Sequence, residues 1–442
     1  METIVLYVLG IAIVLVGLLV SIGLHELGHL VPAKIFGVRV GQYMIGFGRT
    51  LFSFRRGETE YGIKALPLGG YISMSGMYPP VAGGQARTAS TGFFQAMVQD
   101  ARTASAETVA VGEDHRSFYR LAVWKRIIVM CGGPFMNLVI AVVLYAVVLC
   151  GFGIAQVSTT VGTVSECVLP ATSTRQVCEP GDPVSPSSQA GFEPGDRLVS
   201  IDGVRIASWA QATGIIEDSP GKRLSVVVER HGTEVTLQAT PMLSERYLTD
   251  SSGTVMKNAQ GEPMTEQLGF LGIGAAYEKV PQPLTAVLPA VGDNVGAVVG
   301  MVVTLPQRMV DVANAAFGPG PRDPNGPVGL VGVGRLAGEV ASLHTVPIVD
   351  RIELLVNIVA ALNVALLVLN LVPLLPFDGG HIAGALWEGI RRFFAKLFRR
   401  PDPGPVDVAR LMPLTLVVVV VLGAMSLLLV YADLVKPIDL FG

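Results

Sequence analysis

Uninterrupted apolar runs, rather than short alternations, organise this chain. They cover about Ile4 to Leu24, Trp124 to about Phe152, Arg351 to Leu375, and Met412 to Tyr431. As helices, each is long enough to span the hydrocarbon of a bilayer. Ala286 to Met309 is apolar too, but Pro289, Asp293, Asn294 and Pro306 interrupt it, and counting it as a crossing would reverse the two runs that follow. It reads as an amphipathic helix lying on the membrane surface. The pattern predicts a polytopic α-helical membrane protein with four transmembrane helices.

Between the first two runs, Val38 to Ser75 changes character. Glycines such as Gly41, Gly46, Gly57 and Gly69 separate β-prone pieces, Gln42 to Ile45 and Tyr71 to Met74 among them, which suggests membrane-associated β-hairpins. Such a sheet could offer an edge to an extended peptide, or be an ordinary cytoplasmic hairpin. Pro79 to Asp114, rich in Ala, Gly, Ser and Thr, reads as a flexible insertion with little to pack. Beyond the second run, Pro194-Gly195-Asp196 turns into an alternating strand, Arg197 to Ile201, and Asp202-Gly203 supplies a hairpin turn. Trp209 to Glu217 reads as a short helix and Leu224 to Ala239 as a second hairpin. The run Ala190-Gly191-Phe192-Glu193-Pro194-Gly195-Asp196 to Asp202-Gly203 resembles a PDZ domain of the kind attached to bacterial proteases, and it occurs once. The resemblance implies one PDZ-like α+β domain, whose groove could take peptides by strand addition or act as a size filter.

The expected division follows. Residues 1–36 hold the first transmembrane helix, 37–78 the cytoplasmic-side β-rich region, 79–120 the flexible insertion and 121–152 the second transmembrane helix. The PDZ-like domain covers 157–283 and an amphipathic helix with connector 284–350. The third transmembrane helix is placed at 351–390, a basic cytoplasmic segment at 391–410 and the fourth transmembrane helix at 411–432.

Composition agrees with a membrane protein. Of 442 residues, 50% are hydrophobic and 15% charged, and the mean hydropathy is +0.54. A net charge of −3 without a dense basic block gives no sign of nucleic-acid binding. Twelve Lys and Arg residues lie between Lys34 and Arg126. The positive-inside rule puts that stretch in the cytoplasm, and both termini and the PDZ-like domain outside. A cleaved signal peptide would need a positive n-region, but Glu2 is the only charge before His25, so the first run reads as a retained helix. Cys131 and Cys150 sit in an apolar run, where thiols act as small hydrophobes. Cys167 and Cys178 flank a Pro/Ser/Thr-rich loop and could close a disulfide if that region is extracytoplasmic. Arg391, Arg392, Lys396, Arg399 and Arg400 suggest an interfacial helix near anionic lipid.

The chemistry lies at two membrane-adjacent points. His25-Glu26-Leu27-Gly28-His29 reads H-E-x-x-H. On a helix, His25 and His29 share one face and suit a single Zn²⁺, while Glu26 can take a proton from water. The pattern also arises by chance, yet ionisable groups beside a bilayer are costly unless paired or metal-bound. The second point is Asn370-Leu371-Val372-Pro373-Leu374-Leu375-Pro376-Phe377-Asp378-Gly379-Gly380-His381. Its prolines break the helix, and Asp378 could complete a His₂Asp site or simply cap the next helix. Asn137, in the second run, reads as a hydrogen-bonding contact to the first.

H-E-L-G-H in a first span, N-x-x-P-x-x-P-x-D-G-G in a later one and a PDZ-like module between them resemble the site-2 protease family of intramembrane zinc metalloproteases. The resemblance implies zinc on His25, His29 and Asp378, Glu26 as the base, Asn370 holding the substrate backbone, and 38–75 pairing with unwound substrate. It further implies single-pass membrane substrates cut after a first extracytoplasmic cleavage, commonly anti-sigma factors and also remnant signal peptides, in the inner (plasma) membrane. The single PDZ-like run and long Ala/Thr-rich loop resemble the actinobacterial branch. A non-enzymatic PDZ scaffold and a metal transporter are the alternatives. The complete Glu26 and ligand positions oppose the first, and the PDZ-like module has no evident purpose in the second.

Overall fold

The computed structural model describes residues 2–79, 93–170, 173, 175, 177–248, 255–258 and 261–438. The chain divides into two units, Met1–Phe152 with Pro283–Gly442, and Gly153–Gln282.

The first unit opens with helix α1, Glu2–Ile35, apolar around its whole circumference from Ile4 to Val20, with Ser21 and the His25–His29 turn following. Strands β1 (Val40–Arg56) and β2 (Thr59–Met74) form an antiparallel pair. Gln42 to Ile45 find partners both in Glu60 to Ile63 and in Gly70 to Ser73, so the two long strands bend into a compact sheet. Its base is tied to α1, where the Tyr43 hydroxyl donates to the Gly23 carbonyl at 2.6 Å. Helix α2, Phe93–Glu107, corrects the expectation of a flexible insertion over 79–120; the part of that insertion at 80–92 lies outside the described residues. Composition misled because α2 is held by distant partners. The Tyr78 N–H donates to the Ser105 hydroxyl, the Gly76 N–H donates to that of Thr108, and Arg102 pairs with Asp407. Helix α3, Val123–Ala146, continues as a π-helical turn, Val147–Phe152, and runs antiparallel to α1.

The second unit is β-rich. Its strands are β3 (Ile154–Val164), β4 (Arg197–Ile201), β5 (Val204–Arg205), β6 (Leu224–Arg230), β7 (Thr233–Ala239), β8 (Met242–Tyr247), β9 (Thr265–Phe270) and β10 (Ile273–Val280), with short helices α4 (Pro186–Ala190) and α5 (Trp209–Glu217). Strand order in the main sheet is β10-β3-β4-β6-β7, with β5 on β4, while β8 and β9 pair separately. Alternation buries Leu224, Val226 and Val228 of β6 in one core, and a register shift between Leu198 and Ser200 brings Leu198 and Ile201 of β4 into the same core. Asp202 and Gly203 both take positive φ, 48° and 81°, which their tight turn demands. Cys167 and Cys178 are disulfide-bonded.

Returning to the first unit, helix α6 (Val287–Phe317) is followed by α7 (Leu330–Ser342), α8 (Ile348–Asn370), α9 (Asp378–Leu397) and α10 (Met412–Val435). The stretch 351–390, expected as one transmembrane helix, is two helices separated at 371–377, and the basic residues expected at 391–410 begin on α9. By length and composition five helices can cross a membrane, Glu2–Ile35, Val123–Phe152, Leu284–Phe317, Ile348–Asn370 and Val408–Val435. The surface-lying piece expected near 286–309 is thus one continuous helix in this group. Buried polar pairs lock the helices. The Asn363 amide donates to the Ser21 hydroxyl at 2.9 Å, and the Arg322 guanidinium donates to Asp433 at 2.6 Å.

In the β-rich unit, Arg230 donates to both oxygens of buried Asp196, at 2.7 and 2.8 Å, and the Glu193 N–H adds a third bond at 2.9 Å. Burial alone would raise this carboxyl, but the bonds from Arg230 and Glu193 outweigh it and hold it below the ordinary range. A depressed folded-state value means the stabilisation is complete above the ordinary carboxylate range and is lost as pH falls through the depressed value. Asp196→Asn is expected to cost about 2–3 kcal/mol at neutral pH. Faster hydrogen exchange in β4 and β6 of the full chain would report it, and the gap to wild type should close in acid.

Candidate active site

The site begins where α1 and α3 touch backbone to backbone. A Cβ on Gly28 would lie 2.2 Å from the Gly132 carbonyl oxygen, and one on Gly132 would lie 2.0 Å from that of Gly28, so only glycine permits the contact. Gly133 has a second duty. A Cβ there would fall 2.3 Å from His29 Nε2 and 2.7 Å from His25 Nε2, so its missing side chain is the space the imidazoles use.

Helix spacing puts His25 and His29 one turn apart on α1, both buried. His29 Nδ1–H donates to the Val129 carbonyl at 2.7 Å, which leaves Nε2 with a bare lone pair. His25 Nδ1 lies 3.1 Å from the fully buried amide of Asn137, whose Oδ1 has no partner. Turning that amide over lets Oδ1 accept the His25 Nδ1–H, which gives Oδ1 a partner and bares His25 Nε2 as well.

Asp378 arrives from the other side as the first residue of α9, just past the break carrying Pro373 and Pro376. Its Oδ2 stands 3.4 Å from His25 Nε2 and 3.2 Å from His29 Nε2, and the two Nε2 atoms are 3.2 Å apart. That oxygen is buried without a hydrogen-bond donor. Three lone-pair donors facing one another repel unless a cation lies among them. Donors on a tetrahedral zinc, about 2.0–2.1 Å from it, are roughly 3.3 Å apart, so the residues fit that ion.

Glu26 is buried on the same turn, and a Cβ on Gly70 of β2 would come 2.9 Å from its Cγ. The β-sheet base therefore abuts the residue next to His25. Asn370 ends α8 half-buried, eight residues before Asp378, and is not part of the ligand cluster. His381 lies one turn along α9 from Asp378, its ring 6.3 Å from that of Tyr78. Burial pushes it down to about 4, so it is neutral at physiological pH.

Sequence reasoning read Asn137 as a helix contact and missed that the contact is with His25. A buried amide within an apolar run was the available signal, since such a group needs a partner. Asn137→Ala is expected to weaken Zn²⁺ binding by about 10–100-fold with the fold retained. Metal titration of the purified protein would measure this, and unchanged affinity would remove Asn137 from the site.

A family model for Peptidase family M50 matches residues 13–399. The chain is 33% identical to Zinc metalloprotease Rip1 of Mycobacterium tuberculosis (strain H37Rv), across 99% of this chain and 100% of that protein. It is 31% identical to Zinc metalloprotease Rip1 of Mycolicibacterium smegmatis, across 98% and 99%. It is 28% identical to Metalloprotease MmpA of Caulobacter vibrioides, across 87% and 88%. On this match over nearly its whole length the chain belongs to peptidase family M50, the site-2 protease family, and is a multi-pass membrane metalloendopeptidase.

Proposed function

We propose that this chain is an intramembrane zinc protease that hydrolyses a peptide bond within or beside the transmembrane segment of single-pass proteins, after a first extracytoplasmic cut. The observation that carries the reading is the mutual approach, at 3.2–3.4 Å, of two imidazoles from α1 and one carboxylate from α9. His25, His29 and Asp378 would hold the ion. Zinc, when bound, supplies a Lewis acid that makes water nucleophilic near neutral pH and polarises a scissile carbonyl. Glu26 takes the proton from the attacking water and returns it to the leaving amine.

A transmembrane helix keeps its carbonyls hydrogen-bonded, so the substrate must unwind locally. The β1–β2 sheet supplies an edge for the freed backbone, and its base against Gly23 and Glu26 favours that role. Asn370 holds the substrate backbone near the α8 break. The β-rich unit, read as one PDZ-like domain on its Asp196 turn and flanking strands, admits or filters peptide ends. Substrates of the anti-sigma-factor type and remnant signal peptides suit this sequence of cuts.

The topology we infer has four crossings in the plasma membrane, with both termini and the PDZ-like domain outside. Its support lies in the neighbours of α6. Antiparallel α1 and α3 put the start of α1 and the end of α3 on one face. The beginning of α6 packs Val287 and Val291 against Tyr145, near the end of α3. Its other end packs Val312 and Ala316 against Ala432 of α10. Next to Ala432, Asp433 accepts from the Gly329 and Gly332 N–H groups at the start of α7, and α7 lies on Tyr7 and Gly10 of α1. Both ends of α6 thus belong to the outer face, and α6 lies along the rim.

Two measurements follow. Glu26→Gln should lower cleavage of a reconstituted membrane substrate by about 10²–10⁴-fold with zinc still bound, whereas Asp378→Ala should lose the zinc; undiminished cleavage by the first variant would exclude Glu26 as the base. Single cysteines at Leu284 and Phe317, both exposed, in a chain with Cys131 and Cys150 changed to Ser, should both react with an impermeant maleimide from outside. Reaction of only one would make α6 a fifth crossing.

A further inference from the structure

Helix α9 is not among the membrane-spanning candidates, yet it leaves a continuous apolar face uncovered. Trp387, Ile390, Phe393, Phe394, Leu397 and Phe398 recur at i, i+3/i+4 and i+7 spacing and are 46–65% exposed. The opposite face is fixed to the protein. Glu388, fully buried, pairs with Arg126 of α3, accepts from the Val406 N–H at 2.9 Å and pairs with Arg392 at 3.1 Å. The rotation of α9 is therefore set, and the aromatic stripe must point outward. Lys396 on the helix, with Arg399 and Arg400 just past it, borders the stripe, while Arg392 turns to Glu388 and Asp402 and Arg391 donates to the Pro403 carbonyl at 3.2 Å; Glu388 is the only acid of α9 beyond Asp378.

A wide apolar stripe bordered by cations is the pattern of a helix lying in the plane of an anionic membrane surface. A second copy of the chain would bring the same cations against these and be repelled. Zwitterionic lipid would cover the stripe but leave Lys396, Arg399 and Arg400 without an anionic partner.

We propose that α9 is an anionic-phospholipid sensor that controls the metal site: its stripe and cations seat in acidic lipid at the membrane surface, and this seating holds Asp378, its first residue, against His25 and His29. The coupling half rests on the assignment of those three residues as the zinc site. The lipid half does not.

The test uses the full chain reconstituted in vesicles of phosphatidylcholine alone or with about a third phosphatidylglycerol. With Trp124 and Trp209 changed to Phe, Trp387 is the sole tryptophan reporter. Brominated phosphatidylglycerol should quench it more than brominated phosphatidylcholine at equal content. That preference should vanish in the Lys396→Gln, Arg399→Gln, Arg400→Gln variant and persist in Lys396→Arg, Arg399→Lys, Arg400→Lys. Zn²⁺ affinity should be about three- to tenfold tighter in the anionic vesicles, and the Gln variant should lose the difference. Equal quenching by both lipids, or quenching that follows protein density and so reports self-association, would overturn the lipid assignment. Lipid preference with equal zinc affinity would overturn the coupling. Absence of zinc binding in every lipid would instead defeat the metal-site reading.

Discussion

The backbone contact between Gly28 and Gly132 is the constraint on which the rest of this molecule depends. Two helices that meet through ordinary side chains pack about 8–10 Å apart, and at that distance the interior of α3 could not reach the imidazoles of α1. Glycine on both sides removes the spacer. Val129 and Asn137 then come within hydrogen-bonding distance of His29 and His25, and Gly133 leaves room for both rings. The contact does not itself bind a metal. It sets the tautomers and directions of His25 and His29.

That arrangement is tolerable only because the site lies where the regular helical pattern stops. Three lone-pair donors facing one another in an apolar bundle are costly without a cation among them, which gives the arrangement an affinity for one. The break at 371–377 lets a carboxylate enter between α8 and α9, and the β-sheet base at Gly70 covers Glu26 from another direction.

Much of this was legible in the residues. His25, Glu26 and His29 declare themselves through i, i+4 spacing in an apolar run, and Pro373, Pro376 and Asp378-Gly379-Gly380 mark an interruption that a bilayer permits only at a functional place. What was hidden depended on long-range partners. Asn137 shows in the sequence as a buried amide but not as a neighbour of His25. Helix α2 reads as unstructured because its fixing bonds, from Ser105 and Thr108 to 76–78 and from Arg102 to Asp407, join residues far apart in the chain. The bounds of α9 were obscured for another reason. Grouping by charge puts a boundary at Arg391, whereas the apolar period runs through it from Trp387 to Phe398 and belongs to one helix.

Helix α3 supplies none of the three clustered side chains, yet each of them is referred to it. His29 is oriented by its Val129 carbonyl, His25 by its Asn137, and the helix carrying Asp378 by its Arg126 through Glu388. A buried ion pair contributes little net stability, but breaking one side leaves an uncompensated charge at a cost of about 3–5 kcal/mol. Arg126–Glu388 is therefore a firm hinge point rather than a source of stability. The two halves of the His25, His29 and Asp378 cluster are thus held by different contacts, the histidines by close packing and hydrogen bonds within the bundle, and the carboxylate by a helix that the Arg126–Glu388 pair fixes.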